Sequence, residues 1–249
     1  SVSDAKLKKI LSTYDKGTVW YRRDIRGERE VAEGIIFRKF ADNNDPYLYD
    51  DDEILEKVKK NGKEKLQLKV RPSKVVMGID FGGNGSMTTY VCTLYFHGYH
   101  DFRAAEEHNI PLAKDIDTDR ICREFVWFYK KLIDKYGRVD FIFCDSAATT
   151  LINSLISAAR KAELPWRNIG GCRKNELTER PRMMERLLST GRMKINRICK
   201  KLRKALGKLK WDEDHPNIPE DKNIGNCNDW WDAFCYTLLD FVEFIDLDR

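Results

Sequence analysis

Two apolar runs in this chain end on an aspartate, and no other feature limits the possible folds as much. The first is KVVMGID, Lys74 to Asp80; the second is RVDFIFCD, Arg138 to Asp145. Short apolar runs rich in Val, Ile and Phe read as buried strands. A carboxylate at the end of such a strand is costly unless something neutralises it. Between the two runs, TTYVCTLYF (Thr88–Phe96) predicts a second strand, and a third is predicted from Tyr99 to Ala105. The short gaps imply an antiparallel meander.

Asp115 to Gly137 then shows Asp/Thr caps, a closing glycine, and Ile121, Phe125, Phe128, Leu132 and Tyr136 at helical spacing. After Asp145, SAATTLINSLISAARKAEL predicts a helix and PWRNIGG a fifth strand. A helix near Thr178–Ser189 and a short strand RMKIN follow. Next come a basic amphipathic helix with Ile198, Leu202, Leu206 and Leu209 inward, a polar loop, and a last helix from about Asn228 to Phe244. The core order is βββαβαβ. Helices between strands imply right-handed crossovers and a mixed α/β sheet covered by helices.

Residues 1–73 differ in texture and read as a small N-terminal helical and linker region, with the main domain at 74–249. Asp50-Asp51-Asp52 caps a helix expected over Glu53–Lys60, and a lysine-rich, hairpin-like stretch runs on to Arg71-Pro72. The chain does not start with Met, so a piece of a longer or processed protein is expected.

Composition excludes several classes. With 42% hydrophobic and 34% charged residues the chain is globular, not disordered. No run of 18 apolar residues predicts a membrane span, and the N-terminus has no signal-peptide core. The seven scattered cysteines form no CxxC pair, which argues against a disulfide framework or structural zinc and for reduced thiols in a cytosolic protein. DIDTD (Asp115–Asp119) imitates an EF-hand start, but Arg120 and Val126 stand where the loop needs Gly and Glu. No GxxxxGK[ST] phosphate loop occurs; GGNGS lacks the lysine. The four histidines show no ligand spacing; His215, near the polar loop before the last helix, could approach the site, and a plain loop residue is the favoured reading. Lys59, Lys60, Lys63 and Lys65 read as solvated surface.

If the two Asp-ending strands are neighbours, Asp80 and Asp145 meet at one sheet edge, where open α/β sheets bind ligands. The last helix, NDWWDAFCYTLLDFVEF, offers Asp229 and Asp232 on one side, with Tyr236 a turn further and Trp230, Phe234, Leu238, Phe241 and Ile245 free to pack inward. Converging carboxylates repel unless protonated or bound to a cation, and oxygen-only ligands suit Mg²⁺ or Mn²⁺. Two such ions would permit phosphodiester hydrolysis. Arg192–Lys210 holds nine Lys/Arg and no Asp/Glu, a pattern that suits a polyanion. Lys194, Arg197, Lys200, Lys201, Arg203 and Lys204 are the candidate DNA contacts, made to phosphates and hence with little sequence preference.

These motifs, in this order, resemble the C-terminal nuclease domain of the large terminase subunit of tailed bacteriophages, a ribonuclease H-like fold. GIDFG matches the family's first catalytic aspartate (Asp80) and FIFCDSA the second (Asp145). The stretch from Trp211 to Tyr236 is similar to the family's end, where the third acid opens a D-A-x-x-Y helix: Asp232, Ala233 and Tyr236 here. Tyr21–Phe40 resembles the segment that leads in from the family's ATPase domain, which this chain lacks. Many members carry His three residues before the third acid; Asp229 stands there, either as an extra ligand or in support of the ligands. The resemblance implies a metal-dependent endonuclease that cuts double-stranded DNA during genome packaging, with Asp80, Asp145 and Asp232 holding two Mg²⁺ or Mn²⁺. It also implies a portal protein and a small terminase subunit as partners, and the host cytoplasm, at assembling capsids, as its location. A Holliday-junction resolvase or transposase-like nuclease of the same fold stays open, as does a non-catalytic DNA- or portal-docking domain. An actin-like or sugar-kinase ATPase would need a second similar domain.

Overall fold

The structure is a computed structural model. It describes residues 6, 8, 11, 12, 14, 16–18, 21–27, 34–60, 63–82, 86–111, 117–173, 178–215, 218–220 and 227–245. The middle of GGNGS, the first residues of DIDTD and part of the polar loop before the last helix lie outside them, as do the side chains of Lys60 and Lys63.

Among the described residues the strands are β1 Leu48–Tyr49, β2 Leu55–Lys60, β3 Lys63–Leu68, β4 Lys74–Asp80, β5 Thr88–Phe96, β6 Asp101–Ile110, β7 Phe141–Cys144, β8 Ile169–Gly171 and β9 Met193–Asn196. The helices are α1 Arg38–Asp42, α2 Asp51–Ile54, α3 Thr118–Tyr136, α4 Thr149–Lys161, α5 Glu179–Ser189, α6 Lys200–Leu206, α7 Cys227–Tyr236 and α8 Val242–Ile245. Seven strands form one mixed sheet in the order β1-β9-β6-β5-β4-β7-β8. Its centre, β6-β5-β4-β7-β8, is the predicted βββαβαβ unit: β4, β5 and β6 pair antiparallel, and β7 and β8 add in parallel beyond β4.

Alternation along β4 sets the layers. Val75, Met77 and Ile79 pack with Phe125, Phe128 and Leu132 of α3 and Leu155 of α4. Val76 points the other way, into a second core with Phe234 of α7, Leu187 of α5 and Leu202 of α6. β7 repeats the pattern, with Ile142 and Cys144 in the first core and Phe141 and Phe143 against the second. A two-residue period therefore directs Asp80 and Asp145 to the α7 side. Gly78, between Val76 and Asp80, lies under α7: a Cβ there would sit 1.9 Å from the Ala233 carbonyl oxygen. Helix α3 begins as read, Asp117 accepting from the Arg120 amide at 2.8 Å, and ends at Gly137 with φ 83°.

Several expectations need correcting. The helix expected over Glu53–Lys60 is only Asp51–Ile54; Leu55–Lys60 instead pairs antiparallel with Lys63–Leu68. LEKVKK and KEKLQL alternate, and pairing two such segments satisfies their backbone, which outweighs the helix propensity of Glu and Lys. The third strand runs from Asp101 to Ile110, longer than expected, because its outer half continues to pair with β5. The basic helix stops at Leu206, and Ile198 lies before it, 48% exposed, while Leu202, Leu206 and Leu209 are buried. The last helix is interrupted: α7 ends at Tyr236, a 3₁₀ turn covers Leu239–Phe241, and α8 follows.

Part of the 1–73 span is built into the main sheet. β1 pairs in parallel with β9, and Phe37, Phe40, Leu48 and Tyr49 are core residues. Buried Glu106 accepts from Lys131 and Lys135, both at 2.6 Å, and Lys135 also reaches Asp51 at 2.8 Å. All seven cysteines are free thiols, and among the described residues no helix is long and apolar enough to cross a membrane.

Candidate functional site: a carboxylate cluster at the sheet edge

Ile79 pairs with Cys144 in the parallel β4–β7 ladder. The next residues, Asp80 and Asp145, thus leave the same edge side by side. Helix α7 crosses this edge. Its first turn is anchored by Asp229, whose carboxylate accepts from the Met87 amide at 2.9 Å and whose carbonyl accepts from Thr89 Oγ1 at 2.7 Å. Asp232 follows three residues later and is joined by Arg180 from α5, Nη1 to Oδ1 at 3.0 Å.

Electrostatics report the same convergence. Burial pushes the Asp80 carboxyl well above the carboxylate range, and the charges of Asp232, Asp229 and Asp145 push it further; Arg180 acts in the opposite direction. Tyr236 is held as a neutral phenol, first by burial and then by Asp232, Asp80 and Asp145. Four carboxylates therefore share one environment with the Arg180 guanidinium. Asp145 also accepts from the Ala147 amide at 3.0 Å, which shapes the turn into α4.

A cavity of about 520 Å³ opens on this edge, lined by Asp145, Asp232, Tyr236, Arg180, His215 and Asp212 among others. His215, read from sequence as a loop residue, lines it; its Nδ1 lies 3.3 Å from Asp212 Oδ1. Backbone amides of His215 and Asp214 hold Asp212 below the usual carboxylate range. Arg180, Asp212 and His215 were not legible as a group. Arg180 stands 35 residues past Asp145 and Asp212 stands 20 before Asp232, and no spacing rule links them.

All-oxygen ligands of this kind match a hard divalent cation. Asp80, Asp145 and Asp232 thus fit Mg²⁺ or Mn²⁺ by donor chemistry. The fit is not one of preset distances: among the described residues, no group of three or more His, Cys, Asp or Glu is gathered closely enough to hold a metal ion.

The folded-state pKa of Asp80 is raised, so the folded protein retains this proton where the unfolded chain has released it. Stability therefore falls as pH rises through that window. Asp80→Asn is expected to raise the Tm in EDTA at pH 7.5, each kcal/mol gained being worth about 2–4 °C in a chain of this size. The gain should shrink toward pH 4.5, as the wild-type carboxyl becomes protonated. A lower Tm for the variant at pH 7.5 would mean that the carboxylate is stabilised in place.

The basic segment divides. Arg197 is engaged by Asp45 at 2.6 Å and Asp50 at 3.1 Å. Arg203 donates to Asn44 and to the Arg197 carbonyl, and Lys201 to Asn109. Lys194, Lys200 and Lys204 have no such contact among the described residues, and Lys200 and Lys204 are exposed. Lys201, Lys204, Lys208 and Lys210 rim a second cavity, also about 520 Å³, which shares Asn228 with the acid-lined one.

No family model matches the chain, and no curated protein does so either. Solved structures do. The large terminase of a thermophilic bacteriophage is 17% identical, with a TM-score of 0.70 over 97% of this chain and 53% of that one. The ADP complex of the same terminase gives the same score and identity over 98% and 53%. The nuclease domain of the large terminase of bacteriophage SPP1, solved with bound Mn, is less similar: 20% identity, TM-score 0.47, 67% of this chain and 86% of that one. The chain therefore has the fold found in the thermophilic phage's large terminase, a mixed sheet flanked by helices, and spans about half of that protein's length.

Proposed function

We propose that this chain is the nuclease part of a terminase large subunit: a divalent-metal-dependent endonuclease that cuts double-stranded DNA with little sequence specificity during viral genome packaging. The observation that carries this reading is the β4–β7 register, which brings Asp80 and Asp145 to one edge under the helix that bears Asp232. The fold shared with the large terminase of the thermophilic phage supports it.

Asp80, Asp145 and Asp232 would hold two Mg²⁺ or Mn²⁺. When bound, such a pair supplies an activated water and a sink for charge on the departing 3′ oxygen. The protein's own residues supply placement. Parallel pairing sets Asp80 beside Asp145, and Asp229, spent on the Met87 amide, fixes the start of α7 and with it the position of Asp232. We therefore assign Asp229 to support of the ligands. Lys194, Lys200 and Lys204 are free to meet phosphates, with Lys201 beside them at the cavity rim; Arg197 and Arg203 contribute positive potential while holding the N-terminal pieces. Hydrolysis would leave a 5′ phosphate and a 3′ hydroxyl. In this reading residues 1–73 lead in from a motor domain, and a portal protein and a small terminase subunit are partners at assembling capsids in the host cytoplasm.

The test is incubation of the purified chain with supercoiled plasmid in EDTA, Mg²⁺ or Mn²⁺. Nicked and linear products are expected with either cation and none in EDTA. A folded protein that leaves the plasmid intact under all three conditions would refute an autonomous nuclease.

A further inference from the structure

We infer that Arg180 is the resident counter-ion of the acid cluster: it holds Asp232 until a divalent cation takes that carboxylate, and so sets the cation concentration at which the site loads. This rests on the reading of Asp80, Asp145 and Asp232 as the residues that hold the cation.

Arg180 Nη1 lies 3.0 Å from Asp232 Oδ1, and its side chain is only 9% exposed. A guanidinium cannot release its proton, so once buried it needs an anion. Asp232 is that anion. Arg180 also opposes the negative charges acting on Asp80 and Tyr236, and so serves the whole cluster. Its Nε is buried without a hydrogen-bond partner, so the guanidinium does not spend its full donor set here. The pair is joined through one Nη1–Oδ1 contact and not the two-point fork, the weaker form of an arginine–carboxylate pair.

The distances agree. The strand register places Asp80 and Asp145 together, yet no three carboxylates approach to metal-holding distance among the described residues. Asp145 is engaged by a neutral backbone amide, whereas Asp232 is paired with a cation, Arg180. Loading then requires Asp232 to exchange one positive neighbour for another of twice the charge. The apparent affinity is the intrinsic affinity multiplied by the fraction of molecules with Asp232 released.

Titration calorimetry with Mn²⁺ on the purified chain tests this, beside thermal melts in EDTA and in Mn²⁺. Arg180→Ala is expected to bind Mn²⁺ about tenfold more tightly than wild type. It should melt lower than wild type in EDTA and gain more on adding Mn²⁺. Arg180→Lys keeps a charge but loses the fork and should bind with intermediate affinity; it carries the test if the alanine variant does not fold. Mn²⁺ affinity unchanged or weakened in both variants would overturn the inference and leave the nuclease reading in place. If Asp145→Asn binds Mn²⁺ as wild type does, or if no variant binds it, the cation is not held by this cluster and the underlying reading falls too.

Discussion

Asp145→Asn should leave the fold intact and lower plasmid cleavage by about 10³-fold or more, the scale expected when a central catalytic group is removed. The substitution separates charge from shape. Asp145 Oδ1 accepts from the Ala147 amide, and an asparagine Oδ1 can accept the same bond, so the turn into α4 survives. What disappears is one of the negative charges that share the sheet edge with Asp80. A cation there would lose a carboxylate ligand, while the register of β4 and β7 would not change. Cleavage rates measured beside a circular-dichroism melt would check both halves. Cleavage at the wild-type rate by a folded variant would remove Asp145 from the site.

Gly78→Ala should damage both stability and activity. The added Cβ would lie 1.9 Å from the Ala233 carbonyl oxygen and 3.0 Å from Thr237 Cγ2. The nearer atom is helix backbone, which cannot rotate away, so α7 must move as a unit. Overpacking of a tight interior costs about 1–3 kcal/mol and occasionally more; with a backbone atom as the obstacle, about 3 kcal/mol is expected. At about 2–4 °C per kcal/mol the Tm should fall by roughly 6–12 °C. Because α7 carries Asp229 and Asp232, the third acid moves with it, and cleavage should be lost even below the new Tm. Gly170→Ala is the control: a Cβ there meets nothing within 4 Å, and wild-type behaviour is expected. A Gly78→Ala protein that melts and cuts like wild type would mean that α7 does not rest on β4.

Where the chain could be read, it was read through periodicity. The strand Thr88–Phe96 and the helix ending before Gly137 fall where apolar spacing and caps put them. Alternation within KVVMGID and FIFCD sends both aspartates to one side, because successive strand residues face opposite layers. Both facts need only nearest-neighbour geometry. Where reading failed, the deciding contact lay outside the segment being read. Leu55–Lys60 took a strand because Lys63–Leu68 lies alongside it, and Ile198 lost its inward place because α6 begins after it. Arg197 has Asp45 and Asp50 beside it, about 150 positions away in the sequence, and no local pattern announces them.

The placement of Asp80, Asp145 and Asp232 was legible from local pattern: two strand ends and one helix face, each a short-range arrangement of residue types. Their counter-charge was not. Arg180 lies 35 residues past Asp145 and 52 before Asp232, on a helix whose own sequence assigns it no purpose. Only the packing of α5 and α7 onto the same face of the sheet brings its guanidinium to Asp232. Local rules act over one or two turns of chain, so they name which residues reach an edge. Coulombic partnership depends on distance in space, so the choice of Arg180 as the charge facing that edge was made by the folded layers.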